Sequence, residues 1–415
     1  MPELPLDLPR VRAQFPSLTR QHAGHNVVYA DGPGGTQVAR SVTAAMTAYL
    51  ETSNANLGGH FVTSRETGEL IAQTRAGVAA FLNAAGPENI VFGQNMTSLT
   101  FAMSRAIART WLPGDEIIVT ALDHDANVAP WIMAAEDRGV TVRTLPFTTP
   151  DATLAADALG ALLNSRTRLV ALGYASNAVG TIVDCASLIA AAHRVGAMVY
   201  VDAVHFAPHG IIDVRALDCD FLVCSAYKFG GPHLGILYGK TALLESLTAY
   251  KVRTSSAVPP GKWETGTQNT EALAGLRACL SYIGELGSQA SSECLSRAAL
   301  VGGMRRIIAH EHALTRRFLT GLATIPGARL YGITDPARCG ERTPTFGFTL
   351  ASCTPRHASE RLAERGIFVW DGHFYAKSVV EQLGLAAHGG LIRVGFAHYT
   401  TAEEVDRVVR EIALL

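Results

Sequence analysis

The sequence predicts an α/β fold, with a large domain built on a mainly parallel, seven-stranded sheet and a small C-terminal α+β domain. Three observations predict it. From about residue 87, short β-rich runs alternate with longer helical stretches, the rhythm of a parallel sheet. Several of those runs are nearly all apolar, which a strand needs when helices cover both of its faces. After Thr270 the rhythm changes to two long helical stretches followed by a shorter mixed pattern.

The strands of the large domain are expected at residues 89–92, 116–119, 141–145, 169–172, 198–201, 221–224 and 236–238. Between them, Ala-rich segments with apolar positions at helical spacing predict helices at 98–109, 128–138, 154–164 and 184–195. Helices over 271–286 and 297–322 then lead to strands at 329–331, 346–350, 367–370 and 391–394, and a helix over 402–414 closes the chain. The expected division is 20–290 for the large domain and 291–415 for the small one, with residues 1–19 packing on the latter.

Composition narrows the function classes. The 415 residues carry 35 Lys+Arg against 36 Asp+Glu, so no basic excess points to nucleic acid. The opening residues have acids and prolines where a signal peptide needs a basic start and an apolar run. No apolar run reaches the length of a membrane-spanning helix. Seven scattered cysteines without CxxC spacing fit reduced thiols in a cytoplasmic protein, and no HExxH or comparable cluster suggests a metal. No G-x-G-x-x-G follows a first strand, which argues against a dinucleotide-binding oxidoreductase.

In a parallel sheet, ligands sit beyond the carboxyl ends of the strands, so chemistry is sought in the loops there. Lys228 lies in Ser225-Ala226-Tyr227-Lys228-Phe229-Gly230-Gly231-Pro232, directly after an apolar strand. A lysine desolvated in such a place has a lowered pKa and becomes a neutral nucleophile. Asp202 ends the preceding strand at the same sheet edge, with His205 three residues on. A lysine able to form a Schiff base and a carboxylate facing a pyridine nitrogen are the two protein groups that pyridoxal phosphate chemistry needs.

Other loops supply the remaining parts. Thr97 and Ser98 stand at a strand-to-helix junction, where free N–H groups and the positive helix end would meet a phosphate, and Ser225 could add a hydroxyl. His124, in Asp123-His124-Asp125-Ala126-Asn127, could stack on a flat ring or belong to a polar surface loop. Asn177, in Ser176-Asn177-Ala178-Val179-Gly180, could bond a ring hydroxyl or simply build a turn.

In order and spacing these loops resemble the class V aminotransferase family of fold-type-I pyridoxal phosphate enzymes, above all its cysteine desulfurase and selenocysteine lyase branch. The resemblance spans about residues 25–410. It rests on Asp123-His124-Asp125-Ala126-Asn127, Ser176-Asn177 with Gly180, Val201-Asp202-Ala203, Ser225 with Lys228, Glu264-Thr265-Gly266-Thr267-Gln268-Asn269, and Arg393. It implies that Lys228 carries the cofactor, that Asp202 pairs with the ring nitrogen and that His124 stacks on the ring. It places Asn177, His205 and Tyr227 around the ring, and Thr97, Ser98 and Ser225 at the phosphate. Thr267 would reach the phosphate of a neighbouring subunit, which implies a homodimer. Arg393 would grip the carboxylate of a small amino-acid substrate as a fork of hydrogen bonds.

The sequence departs from that pattern where sulfur chemistry is concerned. Relatives carry a Gly-His-x-Cys loop whose thiolate takes sulfur, whereas this chain reads Asp371-Gly372-His373-Phe374-Tyr375-Ala376. Tyr375, with His373 beside it, stands at the substrate side in place of the cysteine. A phenol, whose ordinary pKa is about 10, cannot form a persulfide. His205 stands where many relatives have Gln, and Tyr227 where they often have His. The expectation is an enzyme acting on an α-amino acid by β-elimination at a C–S bond, without persulfide formation. Transamination, epimerisation and a non-catalytic binding protein are the alternatives.

Overall fold

The structure is a computed structural model that describes residues 5–288 and 294–415. The expected domain boundary near residue 290 lies outside the described residues. The large sheet consists of β1 (Ile90–Gly93), β2 (Glu116–Thr120), β3 (Thr141–Leu145), β4 (Thr167–Gly173), β5 (Met198–Asp202), β6 (Phe221–Ser225) and β7 (Gly235–Gly239). Their order is β1-β7-β6-β5-β4-β2-β3. All pairings are parallel except those of β7, which runs antiparallel to both neighbours.

Period-2 alternation sends successive residues of each strand into two different cores. On one face Ile118, Val170, Leu172, Val199, Val201, Leu222 and Cys224 pack with Val78, Leu82, Leu188, Leu276 and Leu280. On the other Ile117, Val119, Leu169, Ala171, Tyr200, Phe221 and Val223 pack with Met103, Ile107, Trp111 and Trp131. Burial on both faces is why the central strands read as unbroken apolar runs. β3 is an edge strand; only its Leu145 is buried, and its Arg143 pairs with Glu116 instead.

Two long helices, Arg40–Thr52 and Val62–Leu82, precede the point where the strand-helix rhythm becomes visible in the sequence. Both pack on the helix Thr270–Gly287; Tyr49, Leu70 and Ala274 form a small core of their own, and Thr74 donates to the Leu273 carbonyl. A partner so distant along the chain leaves no local trace.

The small sheet holds β8 (Ala328–Tyr331), β9 (Thr345–Leu350), β10 (Trp370–Gly372) and β11 (Leu391–Gly395), all antiparallel, in the order β8-β9-β11-β10. The single strand expected at 367–370 is two. Ile367–Phe368 pairs in parallel with Val28–Tyr29, and only from Trp370 does the chain join β11. Apolar periodicity records that both pieces are extended, but it carries no information on a change of partner. Phe318, Phe346, Phe348 and Phe396 fill the core of this sheet, and Val28 and Ala30 from the start of the chain pack into it. Arg12 ties the N-terminal segment to the Tyr399 carbonyl and to Glu404.

The two sheets meet at the loop after β4. Arg342, fully buried, donates to the carbonyls of Val179, Ile333 and Thr345, and Thr343 N–H donates to the Gly180 carbonyl. Gly180 has φ +84° and faces the Thr345 carbonyl so closely that a Cβ would collide with it. Gly196 has a similar φ of +77° but open space around it. Strain alone costs about 1 kcal/mol or more at either position. Gly180→Ala is therefore expected to destabilise the fold by clearly more than Gly196→Ala in urea or thermal unfolding; equal losses would show that the Thr345 contact carries no weight.

Candidate active site

Asp202 and Ser225 are the last residues of β5 and β6, and Lys228 follows three residues later. The loop after β2 brings His124, the loop after β4 brings Asn177, and β1 leads into the helix Met96–Ala108. Because these strands share a direction, all five segments converge at one sheet edge. Thr97, His124, Asn177, Asp202, His205, Ser225, Tyr227 and Lys228 line a single pocket there, with Asp123 and Met96.

Burial sets the electrostatics. Lys228 is held down to about 7, first by desolvation and then by the charge of Arg393, with Asp202 pulling the other way. Its Nζ donates to the Pro33 carbonyl. Asp202 is raised to about 7 by desolvation and by Asp123, although the Val204 N–H donates to its Oδ1 at 2.8 Å. Among the described residues that N–H is its only hydrogen-bond donor. A buried carboxylate facing a pocket with one donor fits a ring N–H cation, which would restore its ordinary ionisation.

The helix start fits a phosphate. Met96 N–H donates to Ser225 Oγ at 3.0 Å, which leaves the Ser225 hydrogen free. Asn95 takes the Ser98 N–H, so the Thr97 N–H is the orphan donor of the first turn. The Thr97 hydroxyl touches only the Met96 sulfur, at 3.9 Å. Ser98 is placed elsewhere: its hydroxyl is spent in the capping box with Asn95, and it lines a neighbouring groove.

His124 accepts the Ala126 N–H on Nδ1, so its hydrogen sits on Nε2. Burial, with the charges of Lys228 and Arg393, lowers it to about 4, and the ring is neutral at physiological pH. Behind it the buried Asp123 accepts from Thr120 Oγ1, Gly173 N and Asn127 Nδ2, anchoring the loop to β2 and β4. Tyr227 stacks on His233 with centroids 4.9 Å apart. A Cβ on Gly35 would come within 3.1 Å of the Tyr227 ring, so the glycine-rich start of the chain is what lets it approach.

Arg393, on β11, is 4% exposed and reaches across from the small sheet. Its Nη1 donates to the Asn177 carbonyl at 3.0 Å, its guanidinium lies 4.2 Å from the Phe374 ring centre, and its Nε is buried with no hydrogen-bond partner among the described residues. Asp31, raised to about 6 chiefly by burial, contributes a nearby acid. Tyr375 and His373 are exposed and stay outside the pocket lining. The loop is nevertheless docked on the site: Asn177 Nδ2 donates to the Phe374 carbonyl, Asp125 N–H donates to the Tyr375 carbonyl, and the Tyr375 ring stacks on His124 at 5.3 Å. Phe374 and Tyr375 both take positive φ, +52° and +59°. Thr267 is exposed beside the neighbouring groove, away from this pocket.

Sequence reasoning missed Pro33, Asp123, Thr343 and Phe374 as contributors. Asp123 had a visible signal in its place beside His124; the others act through a carbonyl, a hydroxyl and a ring face brought in from distant segments.

A desolvated lysine, a buried aspartate with one donor, a helix start with an orphan donor and a half-satisfied arginine define a pyridoxal phosphate enzyme of fold type I. The family model for aminotransferase class V matches residues 28–408. The chain belongs to that family. It is 34% identical to a cysteine desulfurase of Dickeya dadantii, covering 98% of this chain and 95% of that one. It is 31% identical to a probable cysteine desulfurase of Streptomyces coelicolor, covering 99% and 97%. The crystal structure of the cysteine desulfurase CsdA from Escherichia coli superposes with a TM-score of 0.84 at 28% identity, over 98% of each chain. The cofactor is pyridoxal 5'-phosphate, and the protein is a cysteine desulfurase-like enzyme. No helix among the described residues is long and apolar enough to cross a membrane.

The depressed Lys228 pKa has a measurable consequence in the cofactor-free protein. Its ordinary value is 10.5 and its folded value about 7, so between those pH values the unfolded chain binds the extra proton. Stability from this group therefore rises with pH across that window, and below it the cost of burying the cation is complete. Lys228→Met is expected to melt higher than wild type at pH 7, with the gap closing toward pH 10. A gap independent of pH would show that the amine is not desolvated.

Proposed function

We propose that this enzyme cleaves a C–S bond of a sulfur-containing α-amino acid by β-elimination and forms no enzyme persulfide. The observation that carries the reading is the loop over the site, which presents Tyr375 where a sulfur-accepting cysteine would stand. Six of the seven cysteines are buried, and the seventh, Cys353, packs on the small-domain core. None of them lines the pocket.

In this reading Lys228 holds pyridoxal phosphate, with Asp202 on the ring nitrogen, His124 over the ring, Asn177, His205 and Tyr227 around it, and Ser225 and Thr97 on the phosphate. When bound, the cofactor acts as an electron sink for charge at the substrate Cα. Arg393 binds the substrate carboxylate through the donors that the chain leaves open. Lys228, once free, is a neutral amine near and above pH 7 and accepts the Cα proton. Asp202 stays ionised against the ring cation. The Cβ–S bond breaks with its electron pair leaving on sulfur, and hydrolysis of the remaining fragment gives pyruvate and ammonia. Support for a homodimer comes from Thr267, exposed and outside its own pocket, where it is available to a neighbouring subunit's phosphate. The composition supports a cytoplasmic location.

The test incubates the holoenzyme with cysteine, cystine and thioether amino acids while pyruvate and ammonia are measured. Pyruvate in step with ammonia is expected; amino transfer to an added keto acid without pyruvate would replace elimination by transamination. Prior alkylation of accessible thiols is expected to leave turnover within about twofold, since no thiol acts as nucleophile. Loss of turnover on alkylation, with a persulfide mapped to a cysteine, would sink the reading. Arg393→Lys is expected to lower kcat/KM by about 10²-fold, mostly through KM, because an ammonium cannot reproduce the guanidinium fork.

A further inference from the structure

Two side chains lining the pocket have their hydrogen-bond polarity set from behind. Asn177 donates Nδ2–H to the Phe374 carbonyl at 2.8 Å. A carbonyl can only accept, so the amide nitrogen must point there, and Oδ1 is left over. That oxygen is buried and without a hydrogen-bond partner among the described residues. His205 meets Thr343 Oγ1 through Nε2 at 3.2 Å. The Thr343 hydroxyl has one hydrogen and directs it at the Gly180 carbonyl, 3.3 Å away. Its lone pairs then face His205, so Nε2 carries the imidazole hydrogen and Nδ1 carries a lone pair. Nδ1 finds no hydrogen-bond partner among the described residues.

The surroundings keep this imidazole neutral. Burial pushes its pKa well down, and the neighbouring His209, Lys228, Arg393 and His124 all act in the same direction. His209 packs edge to face against it at 5.5 Å and is itself held by the buried Glu311, Nδ1 to Oε2 at 2.8 Å. A second proton on Nδ1 is therefore disfavoured from every side.

We propose that Asn177 Oδ1 and His205 Nδ1 form an acceptor-only wall that binds the cofactor's ring hydroxyl in its protonated form. A wall of amide donors would instead bind the ionised ring oxygen. The inference rests on the placement of the cofactor proposed above and adds the direction in which this wall biases one proton. That proton is shared between the ring oxygen and the Lys228 nitrogen, and here it stays on oxygen. The charge distribution agrees, because a cation on the Lys228 nitrogen would lie in a desolvated site already occupied by Arg393.

The decisive variant is His205→Gln, whose amide can turn an N–H toward the ring oxygen. The absorption spectrum of the bound cofactor, titrated with pH, reports where the proton sits. His205→Gln is expected to shift the balance toward the ionised oxygen by about one pH unit or more, the scale of one charge-assisted hydrogen bond. Thr343→Val, which removes the acceptor that orients His205, is expected to shift it the same way by less. In the cofactor-free wild type, ¹⁵N NMR of the imidazoles is expected to show His205 neutral and protonated on Nε2; this measurement needs no variant to fold. A proton on Nδ1, or a His205→Gln spectrum that titrates like wild type, would overturn the proposal. Borohydride reduction with peptide mapping accompanies each sample. A label on Lys228 in wild type means that the spectra test the wall alone, whereas its absence overturns the placement of the cofactor and this inference with it.

Discussion

Desolvation of one lysine at the edge of a doubly covered sheet is the constraint on which the rest of the site turns. Lys228 is half-buried near the charge of the buried Arg393, and Asp202 answers it from the neighbouring strand end. In water such groups would hold their ordinary charges and do no chemistry at neutral pH. Here desolvation lets the amine lose its proton near pH 7 and raises the carboxylate to about 7.

The small domain completes the site rather than merely covering it. Arg393 comes from β11, Phe374 lies on its guanidinium, and Arg342 and Thr343 brace the loop that carries Asn177. Two successive non-glycine residues with positive φ are costly, and at Phe374 and Tyr375 the cost is met by hydrogen bonds to both of their carbonyls, a stacked ring and a cation–π contact. A loop held so firmly suits a wall of the pocket better than a carrier that swings in and out with sulfur.

Much of this was legible in the residues themselves. The seven strands, the long helices after Thr270 and the convergence of Lys228, Asp202, His124, Asn177 and Ser225 follow from apolar periodicity and from the rule that parallel strands present their loops at one edge. Ser98 was misplaced because a serine at a helix start serves a cap as readily as a ligand, and the choice belongs to Asn95. Tyr375 and His373 are exposed outside the pocket lining, and the loop meets the site through the carbonyls and rings of Phe374 and Tyr375, contacts that no side-chain pattern reveals. The split of the strand at 367–370 had the same cause: a change of pairing partner leaves composition unaltered.

The sequence by itself determined the architecture, the residues that meet at the sheet edge and the absence of a cysteine in the 371–376 loop, because burial pattern and residue chemistry are local properties of the chain. Only the tertiary structure decided the polarity of the pocket wall, the partner of each buried charge and the identity of the orphan donors. Those depend on which atoms from distant segments arrive within hydrogen-bond distance, such as Thr343 behind His205 and Phe374 before Asn177. Hydrogen-bond direction is a property of pairs, and the chain states its residues one at a time.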